Sequence, residues 1–266
     1  MELDDAYANM PYIPGSETYP GRWAAAAAAY RAELGEAERA RLDISHGASE
    51  RAAFDLFLPE ETPKGLCVFV HGGYWLKFHR DLWSHFAAGA VARGWAVAIP
   101  SYDLCPAVRI SEITRQIAQA VCVAAGRVRG PIVLTGHSAG GHLVARMGQA
   151  GMLPEPVAER IAHILPISPV ADLRPLMRTS MNADFRLTEE EAAAESPALH
   201  PAPDAPVSVW VGGNERPVFL DQARWLAEAW DAKHVVVPGK HHLDIIEPLR
   251  DPASDLVESL LSPSGV

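Results

Sequence analysis

The chain has 266 residues, a formal net charge of −10 and 48% hydrophobic residues, enough for one α/β domain with a large core. The acidic balance and the lack of any Lys/Arg cluster argue against nucleic acid or an anionic membrane as partner, and no apolar run is long enough to span a bilayer. No basic and apolar leader opens the chain, and Cys67, Cys105 and Cys122 form no Cys-x-x-Cys pair; both features point to a cytoplasmic protein with small buried thiols.

Residues 1–40 divide into a Tyr/Pro/Gly-rich stretch (1–21) that reads as an extended arm and an alanine-rich segment, Trp23 to Arg41, with high helix propensity. Leu42 to His46 and Ala52 to Leu58 alternate around Gly47-Ala48-Ser49, the pattern of an antiparallel hairpin at a sheet edge. Short apolar runs then alternate with helical ones. Leu66 to Val70 is a strand, Leu82 to Arg93 a helix, Trp95 to Ile99 a strand, Ile110 to Ala125 a helix and Ile132 to Leu134 a strand. Ile161 to Ile167, Val207 to Val211 and His234 to Val237 complete the strands. Fully apolar strands separated by helices indicate a mostly parallel central sheet with helices on both faces, in one domain spanning 1–266. The polar, Pro-rich stretch 169–206, briefly helical at Thr188 to Glu195, interrupts the alternation and reads as a lid or substrate-pocket insertion.

The strand Ile132 to Leu134 stops at Gly136-His137-Ser138-Ala139-Gly140, and small and apolar residues follow at helical spacing. A strand, a turn this cramped and a helix make a nucleophile elbow, which holds the Ser138 hydroxyl out at the carboxyl end of the sheet. A nucleophilic serine needs a base, an acid to orient that base, and donors for the oxyanion. His71-Gly72-Gly73-Tyr74-Trp75 ends the first apolar strand and supplies free N–H groups, those of Gly73 and Tyr74 joining that of Ala139; His71 itself reads as a loop brace. Glu215 is the first carboxylate after the strand Val207 to Val211, whereas Asp221 falls inside the following helix. His241 and His242 follow the last strand side by side and cannot both face the serine. His242 is preferred because Leu243, Ile245 and Ile246 begin a helix that buries the loop behind it, and Asp244 is a competing acid. Tyr74, Trp75, Tyr102 and Phe185 supply aromatic surface for a pocket wall or equally for the core, and Arg109 or Arg216 could meet a substrate carboxylate. His137 and His142, five apart, and His71, His79 and His85 make no metal-binding pattern, so neither metal nor cofactor is expected.

The order Ser138, Glu215, His242 after a His-Gly-Gly strand end resembles the α/β-hydrolase superfamily, and within it the kynurenine formamidase (arylformamidase)-like and carboxylesterase branch. His71-Gly-Gly-Tyr-Trp75 is similar to that branch's oxyanion loop, Gly136-His-Ser-Ala-Gly-Gly141 to its elbow, and Ser101-Tyr-Asp-Leu-Cys-Pro106 to a Tyr-x-Leu-x-Pro segment of many such esterases. The resemblance covers about residue 41 to the end. It implies a Ser138–His242–Glu215 triad, with Gly72, Gly73 and Ala139 around the oxyanion, although many relatives carry aspartate where Glu215 stands. It also implies a small-molecule ester or formamide substrate and leaves homo-oligomerisation open. A binding protein that keeps the fold without turnover would lack a triad member or fill the oxyanion loop, and neither sign is present.

Overall fold

A computed structural model describes residues 1–262. Eight strands form one sheet: β1 (Ala40–Ser45), β2 (Ala53–Phe57), β3 (Leu66–Val70), β4 (Ala96–Pro100), β5 (Ile132–His137), β6 (Ile161–Ile167), β7 (Ser208–Gly212) and β8 (Lys233–Val237). Their order is β1-β2-β4-β3-β5-β6-β7-β8. β1 and β2 pair antiparallel as the expected hairpin, β2 pairs antiparallel with β4, and the other neighbours are parallel. The helices are α1 (Tyr19–Glu36), α2 (Ala88–Ala92), α3 (Ile110–Ala125), α4 (Ala139–Met147), α5 (Glu155–Ala158), α6 (Asn182–Phe185), α7 (Glu189–Ala194), α8 (Pro217–Trp230) and α9 (Asp255–Leu261).

The continuous apolar strands are explained by the two cores they feed. In β3, Leu66, Val68 and Val70 join one core with Ile110, Ile113 and Ile117 of α3, whereas Cys67 and Phe69 point through the sheet to the other, among Trp23, Trp83 and Phe86. Alternation with period two thus buries every residue of the strand. Ala96 and Ala98 against Val97 and Ile99 repeat the division in β4.

Several boundaries differ from the sequence reading. α1 starts at Tyr19, with Pro20 in its first turn where no N–H is needed, and ends before Glu38, whose φ of 55° breaks the helix and releases Ala40 into β1. The segment 82–93 is not one helix. Two 3₁₀ turns, Arg80–Leu82 and Ser84–Ala87, precede the short α2, because the backbone at Trp83 (φ −118°, ψ 0°) leaves helical space as its ring packs against Trp23. Leu243, Ile245 and Ile246 are buried behind His242 as expected, but in turns leading to a 3₁₀ turn, Glu247–Arg250, with Pro248 in its first positions. The first 18 residues are not extended either: they fold into turns and two 3₁₀ segments, Met10–Tyr12 and Ser16–Thr18.

Candidate active site

Ser138 sits between β5 and α4 at φ 58°, ψ −117°, outside the regions that ordinary residues favour. Its N–H donates to the Ile167 carbonyl at 2.9 Å, and its own carbonyl accepts from the His142 N–H at 3.1 Å to start α4. The helix can lie so close to the sheet only because Gly140 has no side chain, since a Cβ there would fall 1.9 Å from the Val70 carbonyl oxygen. The sequence Gly-x-Ser-x-Gly therefore has a packing cause at its second glycine.

After β3 the chain turns through a run of left-handed residues: Gly73 (φ 112°), Tyr74 (54°), Trp75 (55°) and Phe78 (76°). A Cβ on Gly73 would meet the Lys77 carbonyl oxygen and the Phe78 ring, both at 2.7 Å. This winding leaves the N–H groups of Gly73 and Tyr74 without a hydrogen-bond acceptor among the described residues. Gly72 packs directly against His137 and Ser138, and Ala139 opens α4, where first-turn N–H groups have no intrahelical partner. His71 is fully buried, its Nδ1 2.7 Å from the Gly72 carbonyl oxygen and its ring stacked on Tyr102 at 4.5 Å. Burial lowers its pKa to about 3, which fits a neutral brace.

His242 Nδ1 lies 2.5 Å from Glu215 Oε2, with both residues buried. The second Glu215 oxygen, Oε1, accepts from the Ser168 hydroxyl at 2.5 Å and from the Gly212 N–H at 2.8 Å. The carboxylate is thus fixed from the ends of β6 and β7 and aimed at the imidazole. Asp244 instead braces its own loop, accepting from the His241 N–H at 2.7 Å, and Asp221 pairs with Arg224 on the outside of α8. His241 turns toward Tyr19, whose hydroxyl lies 3.3 Å from Nε2.

Ser138 and His242 line one cavity of about 550 Å³, together with Gly73 and Tyr74. Trp23, Phe78, Trp83 and Leu243 add apolar wall, and much of the remainder comes from residues 4–11. Three expected wall residues are elsewhere. Trp75, Tyr102 and Phe185 are fully buried and none of them lines this cavity; Trp75 and Phe185 pack edge to face at 5.6 Å, and Tyr102 donates to the His71 carbonyl. Each ring finds more apolar surface in the core than a loop can offer it. Arg109 is paired with Glu191 and Arg216 with Asp5, and neither lines this cavity, where either was expected to meet a substrate carboxylate. The insertion 169–206 reaches the cavity through Ser180 and Met181 alone.

Residues that the sequence reading passed over complete the surroundings. Ser168, at φ 48° on the end of β6, is one, and its place before Pro169 at a strand end beside β7 was the available signal. Phe219, with its ring 4.3 Å from that of His242, and Tyr7 are others, and neither stands in a motif. No group of three or more His, Cys, Asp or Glu residues able to hold a metal ion occurs among the described residues, and no helix among them is long and apolar enough to cross a membrane.

A mostly parallel sheet with a strained serine after its fifth strand, and a paired histidine and carboxylate after later ones, is the architecture of a hydrolase. The chain belongs to the alpha/beta hydrolase fold family, whose model matches residues 67–244. It is 29% identical over 252 residues to the kynurenine formamidase of Salmo salar, with 86% of this chain and 85% of that protein covered. A crystal structure from Silicibacter sp., provisionally named a thioesterase, is 61% identical and superposes with a TM-score of 0.97 over 98% of this chain and 100% of the other. Esterase B from Lactobacillus rhamnosis shares the fold at 18% identity, with a TM-score of 0.67 over 93% of this chain and 92% of its own.

Proposed function

We propose that the protein is a serine hydrolase that cleaves a small carboxylic ester or an aryl formamide through Ser138, His242 and Glu215. The Ser138 oxygen attacks the carbonyl carbon while His242 Nε2 takes its proton. The N–H groups of Gly73, Tyr74 and Ala139 receive the oxyanion, with Gly72 shaping their loop. Collapse breaks the bond to the leaving group, and the imidazolium returns the proton to the departing oxygen or nitrogen. Water, activated by the same imidazole, then releases the acyl or formyl group from Ser138. The Glu215 carboxylate holds His242 with Nδ1–H toward it, which leaves Nε2 free for the serine.

The observation that carries this reading is the 2.5 Å contact between Glu215 and His242, which lines the same cavity as Ser138. A fluorophosphonate should label Ser138 in the wild type and fail to label Ser138→Ala. Absence of labelling in folded wild-type protein would instead favour a binding protein that keeps the fold without turnover. The names of the relatives define the substrate panel: kcat/KM for N-formylkynurenine is compared with that for short-chain oxygen esters and a short acyl thioester. An ester preference of a hundredfold would reject the formamidase branch of the proposal.

A further inference from the structure

The first part of the chain supplies a large share of the wall of the cavity that Ser138 lines. Asp4, Tyr7, Ala8, Asn9, Met10 and Pro11 all line it, against two residues from the long insertion. This arm is fastened at three places. The Leu3 N–H donates to the Arg178 carbonyl at 3.3 Å, and the Ser180 N–H to Asp4 at 2.5 Å. Arg216 binds the Asp5 carboxylate at 2.8 Å and stacks over the Tyr12 ring at 3.7 Å. The third fastening is at Tyr7, which is 2% exposed. Its hydroxyl accepts from Gln222 Nε2 at 2.9 Å, its carbonyl accepts from the Tyr74 hydroxyl at 2.7 Å, and its ring meets Phe219 edge to face at 6.1 Å. Tyr74 belongs to the loop of free N–H groups, and Phe219 packs on His242. The arm is thus keyed to both halves of the site.

We infer that residues 4–11 are the specificity-determining wall of the site, limiting the size of the apolar or aromatic group a substrate can place opposite Ser138. The inference rests on the hydrolase reading of Ser138. Met10 and Pro11 line the same cavity as Phe78 and Trp83, so a group too bulky for it must displace the arm. Ala8 is the small residue in this wall, so a larger side chain there fills the cavity, whereas trimming Asn9 and Met10 opens it.

The test uses labelling rates of Ser138 with two fluorophosphonates, one carrying an ethyl group and one a biphenyl group, in the full-length protein. The bulky-to-small rate ratio should rise at least tenfold in Asn9→Ala/Met10→Ala and fall at least tenfold in Ala8→Trp. Circular dichroism establishes that each variant is folded. Because the two substitutions push the ratio in opposite directions, general destabilisation cannot mimic the expected pair of results. A ratio within threefold of wild type in both folded variants overturns the inference while leaving the hydrolase reading intact. Failure of both reagents to label the wild type overturns the hydrolase reading, and this inference with it.

Discussion

Replacing Glu215 by Gln keeps its shape and removes its charge, which separates orientation of the imidazole from proton transfer by it. Ser138→Ala should lower turnover of p-nitrophenyl acetate by about 10³-fold or more, and His242→Ala by a similar factor, because in the proposed mechanism the two act as one unit. Glu215→Gln should cost less, since Ser168 and the Gly212 N–H still hold the side chain in place. Asp244→Asn should stay within about threefold of wild type, because that carboxylate braces the His241 backbone; a loss larger than that of Glu215→Gln would transfer the acid role to Asp244. These four residues could be ranked from sequence because each stands just after an apolar run whose end fixes its place. Ser168 could not, since its contact depends on a left-handed turn that no local pattern announces. Trp75, Tyr102 and Phe185 were ambiguous for a different reason: an aromatic in a loop carries the same letter whether it faces a cavity or the core, and here all three are core.

The strand-turn-helix unit around Ser138 depends on backbone proximity more than on any polar contact. Gly140→Ala would force a methyl group into the Val70 carbonyl, so loss of soluble protein, or destabilisation of more than about 3 kcal/mol in urea melts, is expected. Gly21 in α1 is the contrasting case, with nothing within 4 Å of where its Cβ would be. Gly21→Ala should therefore stabilise by about 0.5–1 kcal/mol through helix propensity alone, seen as a small rise in Tm. At this scale the parallel strands were legible because their apolar runs are short, β-branched and separated by helices. Segment 82–93 was not, because its helical composition gives way to the packing of one ring, Trp83. Polarity and proline content point to the insertion as pocket wall, whereas the arm, which supplies more of the lining than the insertion does, has no periodicity to read.

Across the whole molecule, buried histidines link stability to pH. Burial lowers His71 to about 3 and His142 to about 4, and holds His137, beside His242, well below its ordinary value. In the unfolded chain these rings titrate near 6.5, so below that pH the unfolded state binds more protons than the folded one. Their contribution is complete above about pH 6.5 and is lost as pH falls toward the folded values. Each fully displaced ring contributes a slope of about 1.4 kcal/mol per pH unit. Urea midpoints at pH 7.5 and 5.5 should therefore differ by the equivalent of about 3–4 kcal/mol, with the acid sample weaker. Equal midpoints would mean that these rings titrate in the folded protein as they do in the unfolded chain.

The arm's fastenings also bear on biosynthesis. Residues 3–12 leave the ribosome before their anchors, Arg178, Ser180, Arg216 and Gln222, which are translated some 170–215 residues later. Contacts so distant along the chain close long loops and are slow to form. A nascent polypeptide thus has no Arg216 or Gln222 to hold Asp5 and Tyr7 against until the start of α8 has been made.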